Sequence, residues 1–523
     1  MPTLTIDGRE VTVPPGTMVI QAAEKVGVRV PRYCYHPGLS IEGNCRMCTV
    51  DIEKMPKLAT ACTTPVAEGM VVSTATEAVK ATQQSVLEFL LLNHPLDCPV
   101  CDAAGECDLQ NYYLAYGRYD ARFAETKFKK RKVVDIGPTV MLDTERCILC
   151  TRCVRFAKEV SKTAELGVVH RGFRSEIALF PGKKLDNRYS GCVVDICPVG
   201  ALTDKDFRFQ CRPWYLRSTP SICPHCSRGC NILVNWQTER PHHGGGKRVF
   251  RIKPRENREV NRWWICDVGR YGYHFVDSSR RLRKPLVEAE GAMVAVSWKR
   301  AIAEAGELIG GGVVLLASGD SSNEELWALR KLTGEGAPAL CYLPPAEPGD
   351  ELLYTGERAP NRRGAEMLGY RIVRSESPAR ALGEAAAGAR PMLVVGKGFA
   401  DSLQGSFGVP VVAITPLWGE SRARVALPSA TWVEKEGTFT NLEGRVQRFR
   451  QALEPLGEAL GELEILARLA QASGRDAIPT RPGQAFEALA AEVEAFAGLS
   501  YERIGEGGLA AGTETVRSGT AAS

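Results

Sequence analysis

The chain has 523 residues, 44% of them apolar and 24% charged, with a formal net charge of +5. That is the size and balance of several folded domains, and the weak positive excess argues against nucleic acid as a partner. No apolar run reaches the length of about 20 residues that spans a bilayer. Met1 leads directly into an alternating segment, TLTID, with no export leader, so a soluble chain held to any membrane only through partners is expected.

In chain order, TLTID and EVTVP flank the turn Asp7-Gly8, a hairpin signal. A helix is predicted next, with Val19, Ala22, Ala23 and Val26 on one face and Gly27 closing it. Residues 1–75 thus read as a small β-grasp unit, and residues 76–120 as helical, with VLEFLLL packed against a neighbour. The basic run KFKKRK at 127–132 reads as a solvated or partner-facing surface. Cysteine-rich modules are expected over 140–210 and 218–275, the latter interrupted by the loop PHHGGG. Over 295–495, short apolar strands (GVVLLAS, PMLVVGKG, VPVVAITP) alternate with helical segments such as EELWALRKL, the pattern of an α/β layer with a partly parallel sheet. Residues 498–523, rich in Gly, Ala, Thr and Ser, read as a disordered tail. The fold class expected is therefore α+β and multidomain.

Cysteine usage carries the chemistry. Of 18 cysteines only Cys341 lies beyond residue 266. Without an export signal, repeated C-x₂-C points to metal rather than to a disulfide framework.

Four ligand sets follow from spacing. Cys34, Cys45, Cys48 and Cys62 place four thiolates on the β-grasp unit, which implies a [2Fe–2S] cluster in a loop longer than the plant ferredoxin one, a structural zinc site being the alternative. The stretch NHPLDCPVCDAAGEC offers three thiols, Cys98, Cys101 and Cys107, with His94 at H-x₃-C spacing before the first of them. Spacing leaves a Cys₃His zinc site, a [4Fe–4S] cluster with one imidazole, and a His94 that merely ends the helix all open.

Cys147, Cys150 and Cys153, with Cys197-Pro198 downstream, match one half of the bacterial two-cluster ferredoxin pattern. The other half is missing throughout: its positions hold Ala157, Asn187, Ser190 and Val193, so a ferredoxin module that kept one of two clusters is inferred. Cys192 is out of register and reads as a small buried residue. Cys223, Cys226 and Cys230, closed by Cys266, favour a further [4Fe–4S] cluster over zinc, while His242 and His243 read as loop residues.

Together GNCRMC, H-x₃-C-x₂-C-x₅-C, CILCTRC with DICPVGAL, and CPHCSRGC with NRWWICDVGRYG resemble the large iron–sulfur subunit of bacterial respiratory complex I, the proton-translocating NADH:quinone oxidoreductase. WVEKEGTFTNLEGRVQ is similar to a segment of the molybdopterin-oxidoreductase-like domain such subunits carry. The resemblance implies that His94 ligates a [4Fe–4S] cluster with Cys98, Cys101 and Cys107. It implies one [2Fe–2S] and three [4Fe–4S] clusters in all, and an electron-transfer role between a partner binding NADH and FMN and the quinone-side iron–sulfur subunits. The place implied is the cytoplasmic side of the bacterial inner membrane, held there by the complex.

The α/β region is shorter than a molybdopterin enzyme needs, and Cys341 has no adjacent histidine, so no molybdenum cofactor is expected. The chain shows no G-x-G-x-x-G loop, no P-loop and no visible nucleophile, so NADH and quinone should bind on partners. The rival readings are a subunit of an NAD-linked formate dehydrogenase or hydrogenase, and a zinc-stapled scaffold.

Overall fold

The structure, a computed structural model, describes residues 1–333, 338–387, 390–399, 401–403, 407–419 and 421–512. They form two compact units, divided between Leu216 and Arg217.

The first unit opens with the expected hairpin. Thr3–Ile6 pairs antiparallel with Arg9–Thr12 across Asp7 and Gly8, and both turn residues have positive φ, as a tight two-residue hairpin requires. Thr3–Ile6 also pairs parallel with Met70–Ser73. Thr49–Ile52 and Ala59–Thr60 complete a mixed five-stranded sheet, on which the helix Val19–Lys25 buries Val19, Ile20, Ala22 and Ala23. This is the β-grasp arrangement.

A helix at Glu77–Leu91 follows, its N-terminus capped by the Thr76 side chain. Leu87 is buried on it while Phe89 faces outward, so only part of VLEFLLL packs inward. A shorter helix covers Asp108–Tyr116. The ferredoxin-like module contributes a small sheet of Val134–Asp135, Val140–Leu142 and Leu202–Asp204, and a hairpin of Leu166–Val169 with Glu176–Leu179.

The second unit begins with an antiparallel sheet of Arg217–Ile222, Asn231–Trp236 and Val249–Pro254. His242 and His243 lie in the connection between its last two strands. An eight-stranded sheet follows, of which six neighbouring strands are parallel. From Val314–Ser318 the chain adds strands toward one edge, Ala339–Leu343 and Arg371–Arg374. It then returns to the other side of Val314–Ser318 with Met392–Val395, Val411–Thr415 and Val425–Pro428. Apolar cores lie on both faces of this sheet, under helices that include Trp298–Gly310 and Asn323–Thr333 on one side and Pro378–Ala386 on the other.

Open parallel sheets bind ligands where the strand order reverses. At that place a void of about 390 Å³ is lined by Asp320, Ser321, Gly396, Lys397, Trp432 and Lys435. The Lys435 ammonium lies 2.7 Å from Glu325 and 2.9 Å from Glu462, so a buried ion triad borders the crevice. Cys341 is fully buried in the middle of its strand.

The first part of the expected tail, to residue 512, is folded. Tyr501–Ile504 is a helix, Leu509–Ala510 pairs with Arg445–Phe449, and the Tyr501 hydroxyl donates to Glu324 at 2.9 Å. Composition misjudged this stretch because two buried anchors, Tyr501 and Ile504, outweigh the small polar residues around them. Residues 513–523 lie outside the described residues.

Candidate iron–sulfur sites

The structure brings each of the four sequence-derived sets together. In the first, Cys34 lies close enough to Cys45 and Cys62, and Cys48 to Cys62, for the thiols to shift one another. Those contacts hold the Cys34 thiol far below its ordinary value and push Cys45 up. Gly43 and Arg46 take positive φ in the loop that turns Cys45 and Cys48 inward.

In the second, His94, Cys98, Cys101 and Cys107 line one void of about 300 Å³. Burial, then the charges of Lys127 and Arg146, push the His94 imidazole down to about 4, so it is neutral and able to ligate at physiological pH. His94 does not end the preceding helix. That role falls to Lys127, whose ammonium bonds the Leu91 and Leu92 carbonyls at 2.7 and 3.1 Å.

The basic run is largely exposed, at Phe128, Lys129, Arg131 and Lys132, as a solvated surface predicts, while its side chains also make contacts within the unit. Lys130 bonds the Ser175 carbonyl, Arg131 pairs with Glu176, and Lys132 pairs with Asp97 and Glu145. Asp97 is also held by the buried Arg146 guanidinium at 2.9 and 3.0 Å. These partners lie up to 45 residues away, beyond the reach of any local pattern. Cys107 stands at the N-cap of the helix Asp108–Tyr116, and burial pushes its thiol up to about 11, only partly offset by the nearby Gln110 and Leu109 amides.

In the third, Cys147, Cys150, Cys153 and Cys197 line a void of about 360 Å³ whose other walls are mostly apolar. The run winds through positive φ at Leu149 and Thr151, and the Leu149 amide donates to Cys147 sulfur at 3.4 Å. Burial pushes the Cys147 and Cys150 thiols up to about 12 and about 11. Thiols so buried ionise only against bound positive charge, which iron supplies.

The place of the lost twin cluster is filled. Ala157 and Val193 are fully buried, Asn187 donates to Glu165 at 2.9 Å, and Ser190 bonds Thr139 at 2.9 Å. Cys192 is fully buried on the helix Cys192–Asp195.

In the fourth, within the second unit, the Cys223 amide donates to the Cys230 carbonyl at 2.9 Å, and Cys266 caps the helix Asp267–Tyr271. Burial and the fields of Cys226 and Cys266 push both Cys223 and Cys230 well up.

Among the described residues no three His, Cys, Asp or Glu side chains converge on a single ion. Zinc would draw its sulfurs to about 2.3 Å from one centre. The donor sets, three thiols with one neutral imidazole in the second and four thiols in the third, are ones a multi-iron cluster takes.

The first three sets share one apolar core that includes Tyr33, Cys34, Cys107, Leu109, Cys150 and Val199. The buried Arg155 guanidinium donates to the carbonyls of Cys34, 2.6 Å, and Cys150, 3.1 Å, tying the first set to the third. Arg152 likewise bonds Tyr35 and Ile196. The third set meets the second through Pro198, whose carbonyl accepts from the Asp108 amide at 2.9 Å, and through Gly200, which packs on Cys101. Sequence reasoning missed Arg152, Arg155, Arg146, Tyr33 and Gly200. Their only local signal was nearness to a ligand in the chain.

A mixed β-grasp sheet, a Cys/His helical segment, a half-retained ferredoxin module and a doubly wound layer define an iron–sulfur protein of the ferredoxin and molybdopterin-oxidoreductase lineages. Matches to described families agree in order: a 2Fe-2S iron–sulfur cluster binding domain over 1–77, the NADH-ubiquinone oxidoreductase-G iron–sulfur binding region over 83–122, and the NADH-quinone oxidoreductase subunit 3 ferredoxin-like domain over 137–203. The molybdopterin oxidoreductase Fe4S4 domain matches 216–278, and molybdopterin oxidoreductase matches 409–472.

Among whole proteins, the chain is 44% identical over 301 residues to the G subunit of the NADH-quinone oxidoreductase of Rickettsia bellii, covering 57% of this chain and 42% of that protein. It is 44% identical over 303 residues to the corresponding G subunit of Streptomyces coelicolor, covering 57% and 35%. To the mitochondrial NADH-ubiquinone oxidoreductase 78 kDa subunit of Neurospora crassa it is 46% identical over 303 residues, covering 58% and 39%. The chain is thus similar to G subunits of NADH-quinone oxidoreductases, and it spans about two fifths of the length of these relatives. A chain of the NAD⁺-reducing [NiFe]-hydrogenase in its H₂-reduced state is 28% identical, with 40% of this chain and 91% of that chain covered and a TM-score of 0.36, too low to bear on the fold.

Proposed function

We propose that this chain is the electron-transfer subunit of a proton-translocating NADH:quinone oxidoreductase. In this reading it takes electrons from a partner that binds NADH and FMN and hands them to quinone-side iron–sulfur subunits. The observation that carries the reading is the single apolar core shared by three ligand sets in one unit, which keeps successive centres close and dry. Bound iron–sulfur clusters supply one-electron chemistry. Cys34, Cys45, Cys48 and Cys62 would hold a [2Fe–2S] cluster. His94, Cys98, Cys101 and Cys107, then Cys147, Cys150, Cys153 and Cys197, and last Cys223, Cys226, Cys230 and Cys266, would each hold a [4Fe–4S] cluster.

The chain's own residues place and tune these centres. The Arg155 bridge and the Pro198–Gly200 contact support an order in space of first, third, second, which differs from the order in sequence. The neutral His94 in place of a thiolate makes its centre less negative, which by itself favours reduction. No helix among the described residues is long and apolar enough to cross a membrane, which fits a peripheral subunit at the cytoplasmic face of the inner membrane.

The test is anaerobic purification with iron, zinc and acid-labile sulfide analysis and electron paramagnetic resonance. Fourteen iron atoms per chain are expected, two from the first set and four from each of the others. His94→Ala should remove one four-iron signal and leave the two-iron signal. Stoichiometric zinc with little iron would overturn the reading.

A further inference from the structure

Two buried arginines stand among the ligand sets of the first unit, Arg155 at 6% exposure and Arg152 at 8%. Arg155 donates to the carbonyls of Cys34 at 2.6 Å and Cys150 at 3.1 Å, to the Ser40 carbonyl, and to the Thr151 hydroxyl at 3.2 Å. Arg152 donates to the carbonyls of Tyr35 at 2.7 Å and Ile196 at 3.1 Å, and it lines the void of the third set. Every one of these acceptors is a neutral oxygen. Among the described residues neither guanidinium forms an ion pair with a carboxylate. Glu159, the nearest acidic residue to Arg155 in the chain, bonds the Ser40 amide and hydroxyl instead.

Other buried arginines of this chain are neutralised. Arg281 meets Glu434 at 2.6 Å, and Arg146, which lines the void of the second set, meets Asp97 at 2.9 Å. A buried charge is costly unless a group of opposite sign faces it. A cluster held by four thiolates carries net negative charge, and that charge is one of the levers on its potential. The first and third sets each offer four thiols. The second replaces one thiol with a neutral imidazole, and the arginine beside it already has its carboxylate. Both free guanidinium charges also oppose the upward push of burial on the Cys150 thiol.

We propose that Arg152 and Arg155 are the built-in counter-charge of the third centre, Arg155 being shared with the first, so that they raise the midpoint potentials of those two centres. This rests on reading the first and third sets as cluster ligands. When such a centre takes up an electron, a fixed cation meets the added negative charge and stabilises the reduced state. No proton is transferred and no bond is made or broken.

The experiment uses the whole chain with its clusters assembled, and redox titration followed by electron paramagnetic resonance reads each midpoint. Glutamine and lysine replace each arginine in turn; both keep a donor for the carbonyls, and only lysine keeps the charge. Arg155→Gln should lower the midpoints of the two-iron signal and of the four-iron signal that depends on Cys150. Arg152→Gln should lower the latter more than the former. Arg155→Lys and Arg152→Lys should bring each midpoint back toward wild type, and the His94-dependent midpoint should hold throughout. Glutamine and lysine variants that shift a midpoint equally, or not at all, would overturn the proposal, as would loss of the clusters in charged and neutral variants alike. Absence of the two-iron signal and of any Cys150-dependent four-iron signal in the unmodified chain would overturn the ligand reading instead.

Discussion

Gly200 packs so closely on Cys101 that a β-carbon at position 200 would stand 2.1 Å from the Cys101 sulfur. Its φ is not left-handed, so glycine is required there for room rather than for backbone freedom. The loop from Cys197 to Gly200 thereby joins the third set, through Cys197, to the second, through the contact with Cys101. Gly200→Ala is expected to displace Cys101 and to abolish the His94-dependent four-iron signal, while the two-iron signal persists. Electron paramagnetic resonance of the reduced variant checks this.

The fourth set lies in the other unit, outside the core shared by the first three. It joins segments from Cys223 to Cys266, and binding of metal across such a span contributes directly to folding. Cys266→Ser should therefore lower stability and the yield of assembled complex, yet leave NADH:quinone turnover per assembled complex near normal. Cys150→Ser, within the shared core, should abolish transfer. Activity normalised to assembled complex separates the two, and a fully assembled but inactive Cys266 variant would put the fourth centre on the electron path.

Lys435 is buried between Glu325 and Glu462, and the two carboxylates hold its ammonium above the ordinary value despite burial. Lys435→Met leaves two carboxylates facing each other without a cation. Loss of one member of a buried ionic group costs about 3–5 kcal/mol. A clear drop in the thermal midpoint of the second unit is expected, with the cluster signals of the first unit unchanged. A midpoint equal to wild type would show that the triad is not charged in the folded chain.

Burial pushes the Glu324 carboxyl up to about 7, although it accepts from the Thr438 amide, the Thr438 hydroxyl and the Tyr501 hydroxyl. The unfolded chain releases this proton near pH 4.5, the folded chain only near 7. Between those values the folded state binds more proton, so its stability falls as pH rises through that window. Denaturation midpoints measured from about pH 4.5 to about 7.5 should fall more steeply in wild type than in Glu324→Gln. Parallel curves would place the Glu324 carboxyl at its ordinary value.

Local pattern made much of this molecule legible. The Asp7-Gly8 hairpin, the Val19–Lys25 helix and the parallel strands at Val314–Ser318, Met392–Val395 and Val411–Thr415 follow from turn chemistry and hydrophobic period. The grouping of the cysteines follows from their spacing, whereas spacing left His94 open and only the resemblance implied it as a ligand. The vacated twin was readable from Ala157, Asn187, Ser190 and Val193, and the structure fills that place with packed side chains.

Tertiary structure alone decided which centres are neighbours. Arg155 reaches Cys34 across 121 positions of chain, and Gly200 reaches Cys101 across nearly as many, and neither contact leaves a trace in local periodicity. The same holds for Lys127, which caps a helix 36 residues back, and for Tyr501, which anchors a segment of tail-like composition onto Glu324. Spacing and period record what a residue does with its near neighbours in the chain. Packing, burial and the pairing of distant charges depend on the whole fold, and they set the order of the centres and the donors around them.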